Sequence, residues 1–182
     1  MNSLKVSAGT SLAVFGTGAV GIAAVMAARI VDAHPIIGVE MKPKRLQLAL
    51  ELGATHNINN RRQDIAVRIA EITGSGVDYV VETTGNLKMH QLAIDVLNPN
   101  GIVALLTGES GKDLTGGRKT LGIIEGDAVP QVFIPQLIQW YQKGQFPFDR
   151  LVKFYNFNDI NRAIADAKRG DTIKPVLRIS EA

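Results

Sequence analysis

The chain contains no cysteine. Disulfides, thiolate metal ligands and a cysteine nucleophile are therefore excluded within it. Aromatic residues make up only 5% of the 182 positions, and there are three histidines. A nucleic-acid binder gathers its basic residues into a stripe with aromatics between them. Here 20 basic residues stand against 17 acidic ones, a net charge of +3. Only Arg61-Arg62 and Lys42/Lys44/Arg45 lie close together in sequence. The basic excess reads as solvated surface, with an anionic small ligand as the second reading. Long apolar runs are missing too. Glycines and Arg29 interrupt the stretch after Ser11, short of the ~18 residues a membrane span needs. No basic leader with a cleavage site precedes it. A cytoplasmic protein that partners neither nucleic acid nor membrane is expected.

Hydrophobic residues make up 46%, enough for one well-buried domain with an appendage. Short β-rich runs (12–15, 35–39, 77–81 and 101–106, with 56–58 a weaker candidate) alternate with helical patterns near 18–31, 43–53, 63–73 and 86–97. Turn residues mark the junctions, among them Gly53, Gly74-Ser75-Gly76, Gly85-Asn86 and Asn98-Pro99-Asn100-Gly101. Such alternation predicts an α/β fold: a Rossmann-type, doubly wound parallel sheet with helices on both faces. After Gly108 the rhythm changes. A polar, Gly-rich loop leads to a strand near 119–124, a helix near 130–143, a turn at 144–149, a helix near 157–169 and a strand near 174–180. The expected division is a dinucleotide-binding domain over 1–126 and a C-terminal segment over 127–182.

Gly16-Thr17-Gly18-Ala19-Val20-Gly21 follows the first strand and opens the first helix. Three glycines in a turn are weak evidence alone; their place between strand and helix gives them weight. Gly16 permits the tight turn, Gly18 lets a pyrophosphate approach backbone N–H groups, and Gly21 lets helix and strand lie close. Ala19 and Val20 open the helix whose dipole favours phosphate charge. Glu40 ends the second strand, about 20 residues further on, where a carboxylate accepts hydrogen bonds from the adenosine ribose. A carboxylate there repels a 2′-phosphate, so NAD is favoured over NADP, although Arg45 nearby could accept one. Rival motifs fail. Gly111-Lys112 lacks the Ser/Thr and the upstream Gly of a phosphate-binding loop. There is no GxSxG elbow, and Asp78 and Glu82 share one strand without a partner acid. His34, His56 and His90 have no metal-site spacing and are expected at the surface or in loops.

Ser11 to Gly21, Ile36-Ile37-Gly38-Val39-Glu40, Leu46 to Thr55, Val77 to Gly85 and, most specifically, Phe133 to Ile179 resemble the cofactor half of the medium-chain, zinc-dependent alcohol dehydrogenases. The tail is similar to the aryl- (benzyl-) alcohol dehydrogenase branch. The resemblance implies an oxidoreductase that passes hydride from an alcohol to NAD. It implies Val20 beside the pyrophosphate and nicotinamide ribose, Met41 and Arg45 flanking the adenosine, and Thr83 and Thr84 near the adenine and its ribose. Leu106, Thr107, Gly108, Ile124 and Glu125 would lie near the nicotinamide. Lys174 is either a second contact to the pyrophosphate or a solvated lysine. The family's zinc ligands belong to a preceding catalytic domain, and only Met1 to Thr10 precede the matching stretch here. The chain is thus expected to bind NAD(H) without catalysing and to partner that missing domain. Dimerisation through the strand near 119–124 is also implied. A free-standing NAD(H)-binding regulatory module and a methyltransferase-like domain for a nucleoside cofactor remain as alternatives.

Overall fold

Leu12-Ala13-Val14-Phe15 holds no polar side chain, and all four residues are buried, so the strand they form is covered on both faces. In the computed structural model, which describes residues 2–106 and 111–179, this strand, β1 (Leu12–Phe15), lies inside a seven-stranded sheet. It is followed by α1 (Ala19–Ile30), β2 (Ile36–Glu40), α2 (Pro43–Leu52), β3 (His56–Asn59), α3 (Ile65–Thr73), β4 (Val77–Glu82), α4 (Leu87–Asp95), β5 (Leu97–Leu105), β6 (Lys112–Asp113), β7 (Lys119–Gly122) and α5 (Pro130–Gln142). The strand order is β3-β2-β1-β4-β5-β7-β6. All neighbours pair in parallel except β6, which runs antiparallel to β7.

Local chemistry sets the helix limits. Pro43 occupies the first turn of α2 and Gly53 follows its end, each where its backbone suits. The Asp64 carboxylate accepts from the Val67 N–H at 3.0 Å to start α3, and Gly74 in the left-handed region stops it. Two apolar layers sandwich the sheet. Val25 and Ala28 of α1 and Ala49 of α2 pack with Leu12, Val14, Ile36, Val81 and Ala104. On the other face Ile65 and Ile69 of α3 and Ala93 of α4 meet Ala13, Phe15, Ile37, Val39, Val80, Val103 and Leu105. Strand parity divides these sets, and each large side chain so buried contributes roughly 1.5–3 kcal/mol.

Two features differ from the sequence reading. Asn98-Pro99-Asn100-Gly101 is not a turn before the strand. β5 starts at Leu97, opposite Val77, and shifts register before Ile102 meets Tyr79. The polar residues form an irregularity inside the strand, with Asn100 at φ +64°. The second feature is β8 (Val152–Asn156), which pairs in parallel with β9 (Lys174–Arg178) across α6 (Ile160–Arg169). The compact units are Met1–Phe146 and Pro147–Ala182, so α5 groups with the first unit rather than with the tail drawn from residue 127. In the second unit buried Asp166 accepts from the Tyr155 hydroxyl at 2.8 Å and pairs with Arg169 and Lys153.

Candidate functional site

Parallel strands put all their carboxyl ends at one edge, and the register shows which residues share it. Phe15 lies opposite Val39 on one side and Glu82 on the other, Glu82 opposite Leu105, and Leu105 opposite Gly122. The residues just beyond these points are Gly16, Glu40, Thr83, Leu106 and Ile123-Ile124. The chain crosses from β3 to β4 over the sheet, so β1 and β4 flank the switch point where such sheets open a crevice.

The three glycines do different work. Gly16 has φ +87°, its N–H donates to the Val39 carbonyl at 2.9 Å, and a Cβ on it would lie 2.6 Å from Thr83 Oγ1. A Cβ on Gly21 would fall 1.8 Å from the Gly16 carbonyl oxygen, so only glycine lets α1 sit this close to the turn. At Gly18 the nearest atom to such a Cβ is Arg45 Nη1 at 4.0 Å; the space in front of the turn is open. No side chain caps α1, and its first turn holds no acid. Ala19 and Val20 are its first two residues, and Val20 is exposed.

Glu40 lies at the end of β2, only 8% exposed. Its carboxylate accepts from the Met41 N–H at 2.8 Å, the Lys42 N–H at 3.2 Å and the Thr17 N–H at 3.3 Å, with Arg45 Nη1 at 3.6 Å. These bonds tie the acid to the glycine turn. Met41 is exposed beside it. Thr83 donates its hydroxyl to the Phe15 and Gly16 carbonyls at 2.9 and 3.0 Å. Leu106 and Glu125 line an apolar cleft of about 450 Å³ together with Val20, Phe133, Leu137 and Trp140. Ile124 is exposed, and Glu125 adopts φ +54°. Thr107 and Gly108 lie outside the described residues. Lys174 is exposed at the start of β9, in the second unit.

The sequence reading missed two groups. Thr17 is fully buried and carries the link to Glu40. His90 was expected at the surface, but it is buried on α4 with Nε2 2.6 Å from Glu82 Oε2. Its spacing from Ala93, the other buried residue of that helix, is the signal that places it inward. His34 and His56 are exposed, as expected, and His56 opens β3. Among the described residues no group of three or more His, Cys, Asp or Glu could hold a metal, and no helix is long and apolar enough to cross a membrane.

Residues 19–134 match the family model described as zinc-binding dehydrogenase. Geraniol dehydrogenase of Castellaniella defragrans is 38% identical over 97% of this chain and 50% of its own length. Alcohol dehydrogenase 1 of Pisum sativum is 32% identical over 100% of the chain and 51% of its own. Among solved structures, an alcohol dehydrogenase zinc-binding domain protein from Burkholderia ambifaria superposes with a TM-score of 0.92 at 50% identity. The likeness covers 99% of this chain and 51% of that one. Benzyl alcohol dehydrogenase from Acinetobacter calcoaceticus gives a TM-score of 0.92 at 41% identity, over 98% and 52%. The chain spans about half the length of the curated relatives it matches. A methyltransferase-like reading is set aside by these matches. With its Rossmann sheet, glycine turn and acidic strand end, the chain belongs to the zinc-binding dehydrogenase family and corresponds to that family's NAD-binding half.

Proposed function

We propose that this chain holds NAD(H) across the carboxyl edge of its sheet, as the cofactor half of an enzyme that oxidises an alcohol to an aldehyde or ketone. The observation that carries this is the open, uncapped start of α1 at Gly18, tied through Thr17 to the Glu40 carboxylate. The site fits the cofactor. The pyrophosphate would meet Gly16, Gly18, Ala19, Val20 and Gly21 at the positive end of α1. The adenosine ribose would hydrogen-bond Glu40, between Met41 and Arg45, with Thr83 and Thr84 near the adenine. Leu106, Thr107, Gly108, Ile124 and Glu125 would border the nicotinamide. When bound, the nicotinamide supplies the hydride acceptor; the chain's own residues bind and orient it.

A zinc site of the family's kind does not fit these residues, which include no cysteine. We therefore assign alcohol activation to the other half of the protein, on which residues 127–182 would pack, and expect this chain alone to bind without turnover. An aryl alcohol substrate is supported by the likeness to benzyl alcohol dehydrogenase and by the matching tail. A homodimer through the strand near 119–124 and a cytoplasmic location complete the reading. The test is titration with NADH and NADPH, following nicotinamide fluorescence and energy transfer from Trp140, which lines the cleft beside Val20. Saturable NADH binding, about tenfold or more tighter than NADPH, is expected. Glu40→Gln should narrow that gap. A folded chain that binds neither cofactor would contradict the reading.

A further inference from the structure

Glu82 is the only carboxylate among the described residues with no exposed surface. The backbone N–H and hydroxyl groups around its two oxygens all donate to it. Oε1 accepts from the Thr84 N–H at 2.7 Å and from the Thr84 hydroxyl; Oε2 accepts from the Gly85 N–H at 3.3 Å and faces His90 Nε2 at 2.6 Å. A buried carboxylate is costly unless its lone pairs are satisfied. Here they are satisfied by ordering the turn between β4 and α4.

That turn bears directly on the glycine turn. Thr83 donates to the carbonyls of Phe15 and Gly16. The Gly16 oxygen is the same atom that a Cβ on Gly21 would strike. The peptide after Gly16 is thus held between α1 on one side and Thr83 on the other. A second observation concerns the two helix starts that share this edge on neighbouring strands. At α4 the Asn86 side chain accepts from the Lys88 and Met89 N–H groups at 2.9 and 3.4 Å, and the two preceding N–H groups, of Thr84 and Gly85, go to Glu82. The start of α1 has no such cap. Helix starts attract phosphate when their N–H groups are free, and of these two only α1 is left uncapped.

We infer that Glu82, held by His90, is a positioning residue: it closes the β4–α4 turn to anions and fixes Thr83 against the Gly16 carbonyl, so that of these two turns a dinucleotide pyrophosphate binds at Gly18. This rests on the NAD(H) reading above. The test compares wild type with Glu82→Gln, His90→Leu and His90→Gln in NADH titrations, with ADP and adenosine as competitors and thermal melting measured alongside. Glu82→Gln and His90→Leu should weaken NADH and ADP by about tenfold, the scale of one charge-assisted hydrogen bond, and weaken adenosine clearly less. His90→Gln, whose amide can still donate to Glu82, should stay within about threefold of wild type. Should Glu82→Gln not fold, the two His90 variants decide the matter. Variants that bind NADH and ADP like wild type, or that lose adenosine as much as ADP, would overturn the inference while the NAD(H) reading stands. A wild-type chain that binds no NADH overturns both.

Discussion

At the scale of single residues, two glycines of one motif should fail in opposite ways when a side chain is added. Gly21→Ala places a methyl group inside contact distance of the Gly16 carbonyl, and neither helix nor strand can yield cheaply. Denaturant unfolding should show a loss of about 3 kcal/mol or more. Gly18→Val has room; it should unfold within about 0.5 kcal/mol of wild type yet lose NADH binding. Equal stability losses would mean that Gly18, too, is only a packing position. Charge makes a second prediction. Burial pulls Asp78 up, but hydrogen bonds from the Ser11 N–H and hydroxyl and from Asn98 outweigh it and hold the carboxyl below its usual range. Asp166 is lowered by the Tyr155 hydroxyl above all, then by Lys153 and Arg169, against its burial. Groups lowered in the folded state stabilise it fully above their unfolded pKa, about 3.9, and lose that contribution as pH falls through the folded value. Urea midpoints should therefore drop on acidification below about pH 4, and Asp78→Asn should flatten part of that slope. An unchanged slope would show that Asp78 is not coupled to folding. The glycines and Glu40 were legible from sequence because their work is local. The pairing of His90 with Glu82 was not, because only the fold brings the two together.

At the scale of elements, α1 and α5 make a contrast. α1 buries five residues. α5 buries none and carries an interior proline, Pro135. Few buried contacts mean a low local opening free energy. Amides of α5 should exchange with solvent well before those of α1 and β1, as read by hydrogen-exchange mass spectrometry. Equal protection would show that α5 is held as firmly as the sheet. The same elements show where pattern reading works. The β1 and β4 runs and the small-residue periodicity of α1 are repeated local signals. The first part of β5 was misread because Asn-Pro-Asn-Gly is turn chemistry, and here the sheet absorbs it as an irregularity opposite Val77. β8 went unread because Val152–Asn156 shows no regular alternation of buried and exposed positions, four of its five residues being at least partly exposed.

At the scale of the whole molecule, β7 is paired on its outer side with β6 through Lys119 and Thr120 among the described residues. That pairing ends at Thr120, and the stretch beyond it, Leu121-Gly122, is the part of β7 that a second chain could extend. Sedimentation equilibrium should find a dimer at micromolar concentrations, and a monomer throughout would remove the proposed self-pairing. The fold class and the family were readable from the sequence, because order and spacing of short motifs carry them. The most direct test of the central claim is to map amide chemical shifts of the labelled chain as NADH is added. The account predicts saturable shifts at Gly16 to Gly21, Glu40-Met41, Thr83-Thr84, Leu106 and Ile124-Glu125, with the amino-terminal edge of the sheet near Ser11, Gly76 and Asp78 unmoved. Shifts confined to that opposite edge, or none in a folded chain, would contradict it.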